Sequence, residues 1–223
     1  MNRLLRYFSS SIGSKQLMAL TGFSLCAFLI VHLLGNGFLF VSAEAFNKYA
    51  YALTSNPLLI PAELTLFIIF ALHIGLGLKL TLENWAARPV GYQIDASAGK
   101  QTIMSKTMWI TGPLILVFII IHLINFRFAH QLPVIYASKE YGNLFLVVDL
   151  ILKNTTWATV YLLGFSALCL HVAHGFRSWL QSLGVNDKKY DLFLHQISYL
   201  YAVIVFIGFS MILLYLFFSK GGN

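Results

Sequence analysis

The sequence predicts an all-α membrane protein with five transmembrane helices. Of its 223 residues, 58% are hydrophobic and only 10% are charged. The charged residues are grouped, and four of the intervals between them are as long as the roughly 20 residues that a membrane-spanning helix needs. These charge-free intervals lie between Lys15 and Glu44, Lys106 and Arg127, Lys153 and Arg177, and Asp191 and Lys220.

The five predicted helices fill most of the chain, so residues 1–223 are assigned to a single integral membrane domain. The first apolar run is much longer than the roughly 7–15 residues of a signal-peptide core, and we expect it to be retained as a span. The second contains Lys79 near its end, where a long side chain reaches the headgroups. Residues 1–11 combine apolar side chains with two arginines and predict a short interfacial helix. The predicted spans cover approximately residues 16–42, 62–85, 106–127, 155–182 and 192–219.

The distribution of Lys and Arg predicts the orientation. With the N-terminus inside, ten of the 15 basic residues fall on the inner side and five on the outer side. We therefore expect a cytoplasmic N-terminus and, after five spans, a C-terminus outside. The net charge of +7 then reflects topology and contact with membrane lipid, and no basic patch with interleaved aromatic residues indicates nucleic-acid binding.

Four histidines lie in four different apolar segments, where an ionisable side chain is costly and is normally kept for function. At a rise of about 1.5 Å per residue, His32 and His122 are expected at one depth near the outer side. His73 and His171 are expected at another depth, nearer the inner side. A single such histidine could simply hydrogen-bond across helices, but four at matched depths favour a role as paired ligands.

An internal repeat supports the same pairing. The first and third spans each carry Thr-Gly with a histidine ten positions after the glycine, and the second and fourth each carry Leu-His with a glycine four positions after the histidine. Two-fold repeats in membrane proteins commonly place sites at the repeat interface. We expect the glycines to make room for a flat ring system, although small residues also serve helix packing alone. They are Gly22, Gly77, Gly112 and Gly175.

Two neutral imidazoles on opposite sides of a porphyrin give a six-coordinate iron suited to electron transfer. We therefore expect two haem b groups, with the first four helices forming a bundle around the stacked pair. Cys26 and Cys169 belong to no CxxCH motif, which excludes covalently attached haem. His174 follows His171 by three residues and could be the ligand instead. The shared His–Gly spacing favours His171 and would place His174 behind it or near a haem propionate.

Several stretches of the sequence carry a resemblance to a known family. They are Ser11-Ile-Gly-Ser-Lys-Gln-Leu-Met-Ala-Leu-Thr-Gly, Val31-His-Leu-Leu-Gly-Asn, Ala43-Glu-Ala-Phe-Asn-Lys-Tyr-Ala, Leu82-Glu-Asn and His171 through Gly184. They resemble the dihaem cytochrome b subunit of succinate dehydrogenases and fumarate reductases, and the resemblance covers essentially the whole chain. It implies that His73 and His171 ligate the iron of the proximal haem, and His32 and His122 that of the distal haem. It also implies a multi-pass protein of a bacterial cytoplasmic (inner) membrane.

The resemblance further implies a respiratory-chain subunit that anchors two soluble partners at the inner face, a flavoprotein with FAD and an iron–sulfur protein. The dicarboxylate would react on the flavoprotein, and this chain would carry electrons between the iron–sulfur protein and a membrane quinone, typically menaquinone. Some fumarate reductases of the family have a glutamate two positions before the ligand in the fourth helix, used for compensating proton movement. That position is Cys169 here, so this chain departs from the pattern.

Candidates for the quinone site and the propionate contacts are less clearly marked. Glu44, expected in the loop after the first helix and beyond the distal ligand, is a candidate proton acceptor for quinol oxidation. A solvated loop carboxylate or a helix cap would account for Glu44 equally well. At similar depth, the candidates on the quinone side are Asn36, Lys48 and Arg127. Near the inner ends, the candidates for propionate contacts, which also satisfy the positive-inside bias, are Lys15, Gln16 and Arg177.

Three other classes fit parts of this pattern. A cytochrome b anchor of a hydrogenase or formate dehydrogenase complex would bind haem similarly but other soluble partners. A histidine-based proton or metal transporter normally adds acidic residues within its spans, whereas Glu63 here lies only at a helix start. A purely structural assembly subunit is the third class.

Overall fold

The computed structural model describes residues 6–8, 10–87, 103–182, 184 and 188–219. Five of its helices are long and apolar enough to cross a membrane, which confirms the predicted class of a multi-pass helical membrane protein. In chain order the helices are α1 (Ser11–Asn36), α2 (Ala43–Thr54), α3 (Leu59–Ala86), α4 (Ile103–His122), α5 (Leu144–Lys153), α6 (Thr155–Ser182) and α7 (Asp191–Phe218). The five long ones are α1, α3, α4, α6 and α7.

Helix α6 has the predicted ends, whereas the ends of the other long helices differ from the predicted ends by up to six residues. Helix α1 begins at Ser11 and tightens at its end into a 3-10 turn, Gly37–Phe40. Helix α4 continues into a π-helical turn, Leu123–Arg127. The interfacial helix expected over residues 1–11 lies mostly outside the described residues, which include one helical turn at 6–8.

Hydroxyl side chains inside the long helices bond to their own backbone. Ser24 donates to the Leu20 carbonyl at 3.0 Å, and Ser198 donates to the Leu194 carbonyl at 2.7 Å. A bond to the carbonyl four residues earlier satisfies the hydroxyl without a partner from another helix. A serine or threonine can therefore lie in an apolar span without needing water.

The described residues group into two compact units. The first comprises Met1–Phe28, Leu64–Gly112 and Leu170–Ala202. Stacked rings link its helices, with centroids 4.4 Å apart for Phe23 and Trp179. The Tyr201 hydroxyl of α7 also donates to the Cys26 carbonyl of α1 at 2.6 Å.

The second unit comprises Leu29–Glu63, Pro113–Cys169 and Val203–Asn223. A cluster of buried apolar side chains forms its core, and residues from α2, α5, α6 and α7 all contribute to it. These buried side chains hold the short helices against the long ones, because close-packed apolar side chains gain many van der Waals contacts. The largest buried members are Leu39, Phe46, Leu152, Tyr161, Phe165, Ile212, Leu213 and Leu216.

The second unit also contains short elements where we expected connecting loops. Besides α2 and α5, they include an antiparallel hairpin of β1 (Pro133–Tyr136) and β2 (Lys139–Gly142). Ala137 and Ser138 have φ values of 47° and 65°, the left-handed conformation that a tight two-residue hairpin turn requires. The Ser42 hydroxyl accepts the Ala45 N–H at 3.0 Å and caps the start of α2.

Asn47 joins these short elements. Its side chain is completely buried, and its amide group donates to the Tyr136 hydroxyl at 3.1 Å and to Asn143 Oδ1 at 3.0 Å. Its Oδ1 accepts the Phe145 N–H at 2.8 Å. One side chain of α2 thus connects the hairpin to the start of α5, and we call Asn47, Tyr136 and Asn143 the Asn47 cluster.

Replacing Asn47 with alanine is expected to lower the free energy of unfolding by about 3 kcal/mol, because three hydrogen bonds of about 1 kcal/mol each are lost and their partners stay partly buried. Thermal unfolding in detergent would measure the change. Asn56→Ala is the matched control, since the Asn56 side chain accepts one bond in an exposed turn, from the Leu58 N–H. Equal losses in the two variants would contradict the role of the cluster.

Candidate functional site

The structure brings the four intramembrane histidines together in the two pairs that depth and the repeat predict. In the first unit, the ring centroids of His73 on α3 and His171 on α6 are 6.3 Å apart, with the rings at 68° to each other. In the second unit, the centroids of His32 on α1 and His122 on α4 are 5.7 Å apart, with the rings at 80°. Each pair therefore draws one imidazole from each of two helices.

A threonine holds each imidazole of the His73–His171 pair. Thr21 Oγ1 lies 3.1 Å from His73 Nδ1, and Thr111 Oγ1 lies 3.2 Å from His171 Nδ1. Both threonines are buried. A role for these two threonines was not predicted from the sequence, because the Thr-Gly repeat was explained by its glycines alone. The repeat itself was the signal that could have identified the threonines.

The glycines of the two Thr-Gly repeats lie against the imidazoles. A Cβ added at Gly22 would lie 3.3 Å from His73 Cε1, and one added at Gly112 would lie 4.0 Å from His171 Cε1. The first contact is tighter than ordinary packing, so a larger residue at Gly22 would press on the ring. Gly22 therefore makes room for the His73 imidazole, whereas a Cβ at Gly112 would be in ordinary van der Waals contact with His171. The expected room for a cofactor at these two positions stays a prediction.

The two glycines that follow the histidines have different surroundings. A Cβ added at Gly175 would meet nothing within 4 Å, so open space lies beside this part of α6. A Cβ added at Gly77 would lie 3.1 Å from Cε of Met18. A methionine terminus is flexible and can move aside. Both positions are compatible with the expected room for a flat ring.

His171, and not His174, lies opposite His73. His171 makes the ring contact with His73 and the contact with Thr111, whereas His174 is half-buried one turn further along α6. The geometry therefore favours His171 as the partner of His73, in agreement with the spacing of the repeat.

Of the three candidates for propionate contacts, Arg177 has the most suggestive surroundings. Its Nη2 donates to Asp191 Oδ1 at 2.6 Å, while its Nε is buried with no hydrogen-bond partner among the described residues. A buried guanidinium N–H without a partner suits a carboxylate oxygen. Gln16 accepts a hydrogen bond from the Tyr7 hydroxyl, and the Lys15 side chain is exposed.

Aromatic rings surround the His32–His122 pair. The His122 ring lies 5.1 Å from Phe126 and 6.1 Å from both Phe118 and Tyr161, by centroid distance. Tyr161 is only 2% exposed, and its hydroxyl accepts a bond from the Asn125 amide at 3.3 Å. These rings were not predicted as part of a site, because single aromatic residues in an apolar span resemble ordinary lipid-facing positions.

Asn36 contacts the histidine of its own helix. Its Nδ2 donates to the His32 carbonyl at 2.8 Å and lies 3.4 Å from His32 Nε2. From the sequence, Asn36 was expected on the quinone side. In the structure its amide group lies beside a ring nitrogen of His32, a candidate iron ligand.

The remaining quinone-side candidates form two exposed ion pairs. Glu44 lies in the first turn of α2, not in a loop, and its Oε1 is 2.6 Å from Lys48 Nζ. This hydrogen bond raises the pKa of the Lys48 ammonium above its usual value. Arg127 binds both carboxylate oxygens of Glu63, at 2.7 and 3.0 Å. No hydrogen bond or ion pair among the described residues joins these two pairs.

The residues present fit haem better than a metal ion held by protein side chains alone. Two imidazoles bonded to one metal at about 2 Å from opposite sides have centroids roughly 6 Å apart, close to the observed 6.3 and 5.7 Å. Within the described residues, no group of three or more His, Cys, Asp or Glu side chains is placed to hold a metal ion. Two nitrogen donors per site suit a metal whose other ligands come from a macrocycle.

Comparison with known proteins identified no relative of this chain. No family model, curated protein or solved structure matches the chain. Its function must therefore be inferred from the geometry of the two histidine pairs and from the sequence motifs.

Proposed function

We propose that the chain is the haem-bearing membrane anchor of a succinate:quinone oxidoreductase, either a succinate dehydrogenase or a quinol:fumarate reductase. The observation that carries the proposal is the duplicated histidine pair, with ring centroids 6.3 and 5.7 Å apart, in a protein with five potential membrane spans. The sequence motifs point to the same family. In this proposal an FAD flavoprotein and an iron–sulfur protein bind at the cytoplasmic face, and a quinone, typically menaquinone, accepts or supplies electrons.

Each residue set has a definite task in this proposal. His73 and His171 bind one iron, and His32 and His122 bind the other. When bound, each haem b supplies a one-electron couple between ferric and ferrous iron. The aromatic rings around His122 exclude water from their site, and the unpartnered Nε of Arg177 is available to a propionate.

The proposal is tested by purifying the complex and recording the dithionite-reduced minus oxidised spectrum, with haem quantified as the pyridine haemochrome. Two b haems per chain with a sharp low-spin α band are expected. A covalent-flavin subunit that copurifies would distinguish this complex from a hydrogenase or formate dehydrogenase anchor. A folded, well-expressed chain without haem would refute the proposal.

Glu44→Gln is expected to slow electron exchange with quinone by about 100-fold, because a group that takes up the quinol proton commonly contributes at least that much. The haem content and the reduction of haem by succinate should not change. Glu140→Gln is the matched control, because Glu140 is another exposed carboxylate of the second unit. A normal quinone rate in Glu44→Gln would leave Glu44 as a first-turn carboxylate that pairs with Lys48.

A further inference from the structure

The two threonine–histidine contacts have the same internal geometry. Thr21 Oγ1 lies 2.9 Å from the Leu17 carbonyl and 3.0 Å from the Met18 carbonyl, on its own helix. Thr111 Oγ1 lies 3.1 and 3.4 Å from the carbonyls of Thr107 and Met108. Each hydroxyl therefore lies within hydrogen-bonding distance of two backbone carbonyls of its own helix and of one histidine Nδ1. The arrangement occurs once on α1 and once on α4.

Because each threonine hydroxyl has a single proton, the acceptor of that proton determines which tautomer of the neutral imidazole is favoured. A threonine hydroxyl has one proton to donate and lone pairs to accept with, whereas a carbonyl can only accept. When the hydroxyl proton goes to a carbonyl, Thr Oγ1 accepts, and the histidine Nδ1 must carry the proton. Nε2 of a neutral imidazole is then unprotonated and can bind a metal.

We propose that Thr21 and Thr111 are positioning residues that fix His73 and His171 in the Nδ1–H form and thereby set the reduction potential of the haem between them. This inference rests on the proposed function, since it presupposes that iron binds at Nε2. A hydrogen bond from Nδ1–H makes the imidazole a stronger donor, which favours ferric iron. Removing the hydroxyl therefore raises the potential of this haem.

The His32–His122 pair provides an internal reference. Thr21 and Thr111 contact the histidines of the first unit, whereas this pair lies in the second unit beside aromatic rings and the Asn36 amide. Loss of either threonine hydroxyl should therefore shift one haem and leave the other unchanged. A general weakening of the fold would instead affect both.

The experiment compares Thr21→Val and Thr111→Val with Thr21→Ser and Thr111→Ser in the purified complex. Valine keeps the branched shape without the hydroxyl, and serine keeps the hydroxyl. Thr159→Val is the matched control, because the Thr159 hydroxyl makes the same bond to the carbonyl four residues earlier, at 2.9 Å from Thr155, on an exposed part of α6. The readouts are the midpoint potential of each haem from an optical redox titration and the low-spin electron paramagnetic resonance signal of each.

We expect each valine variant to lower the ferric-to-ferrous ratio of one haem about tenfold at fixed potential, a shift of about 59 mV for a one-electron couple. Loss of that haem in the valine variants alone would also support the proposal. The serine variants and Thr159→Val should match the wild type. Wild-type midpoint potentials in both valine variants would overturn the inference. Identical effects of valine and serine, or a shifted midpoint potential in Thr159→Val, would also overturn it.

A second measurement separates failure of this inference from failure of the proposed function. Nitrogen-15 magnetic resonance of the full haem-free chain, labelled at histidine and placed in lipid bilayers, reports which ring nitrogen carries the proton. His73 and His171 should be in the Nδ1–H form in the wild type and should lose that preference in the valine variants. If the purified complex held no haem, this measurement would still decide whether the threonines set the tautomer. An Nε2–H form in the wild type would overturn the inference.

Discussion

Replacing His73 or His171 with alanine is expected to remove one of the two proposed haems b and to abolish most of the proposed electron transfer between succinate and quinone. These side chains face each other with centroids 6.3 Å apart, so each variant would leave the iron with one protein ligand. Loss of an outer partner of a ligand already costs roughly 10–100-fold in metal affinity, and loss of the ligand itself should cost more. Haem per chain, measured as the pyridine haemochrome, should fall from two to one, and succinate:quinone activity should fall by about 100-fold or more.

His174→Ala is the control for this prediction. It removes an imidazole three residues from His171 on the same helix, but its ring is not paired with His73. It should keep both haems and their low-spin spectra. Two haems with native spectra in His171→Ala, together with loss of one haem in His174→Ala, would exchange the roles of the two residues. Native spectra in all three alanine variants would reject the assignment.

Replacing His32 or His122 with alanine should remove the other proposed haem and separate the two proposed partial reactions, haem reduction by succinate and quinone reduction. Succinate should still reduce the haem that remains, because the His73–His171 pair and its threonines are unchanged. Reduction of quinone should be lost, by about 100-fold or more, if quinone exchanges electrons on the side of the missing haem. Stopped-flow spectra that follow haem reduction and quinone reduction separately would measure both effects.

His130→Ala is the matched control for the second prediction, since His130 is an exposed residue of the second unit and follows α4. It should leave haem content and both partial reactions at wild-type levels. If His32→Ala or His122→Ala stopped haem reduction by succinate and spared the exchange of electrons with quinone, the assumed order of the two haems would be wrong. Retention of both haems would remove these two residues from the ligand set.

The spans and the histidine pairs could be predicted from the sequence because both depend on the cost of charge in a membrane. A charge-free, apolar interval as long as that between Lys15 and Glu44 is typical of a membrane span and rare elsewhere. A histidine such as His32 inside such an interval is equally conspicuous. The same helical rise that sets the depth of each histidine also determines which helices can bring two of them together. The pairing in the structure follows from this arithmetic.

The threonines were harder to predict, since a hydroxyl in an apolar helix usually bonds only to its own backbone. Thr21 and Thr111 make that bond and also contact a histidine, and only the fold shows the second contact. The short elements of the second unit were missed for a different reason. Asn47 resembles a surface residue in the sequence, and its partners are 89 and 96 residues away.

The candidate quinone site was the least predictable part. Glu44 was expected in a loop, whereas the Ser42 cap places it in the first turn of a helix and beside Lys48. A carboxylate in the first turn of a helix is a common stabilising feature. Helix stabilisation alone therefore accounts for a glutamate at position 44. Only a kinetic measurement distinguishes this structural role from a role in quinone chemistry.

The Asn47 cluster also determines when this part of the protein can finish folding. Asn47 and Asn143 belong to segments separated by two potential membrane spans, α3 and α4. Both segments must reach the same side of the membrane before the amide can bond, and contacts between distant parts of a chain form slowly. During synthesis the Asn47 amide cannot bond to Asn143 until about 96 further residues have been made. We therefore expect the hydrogen bonds of the Asn47 cluster to form after α3 and α4 have been inserted, and only in chains that have inserted both.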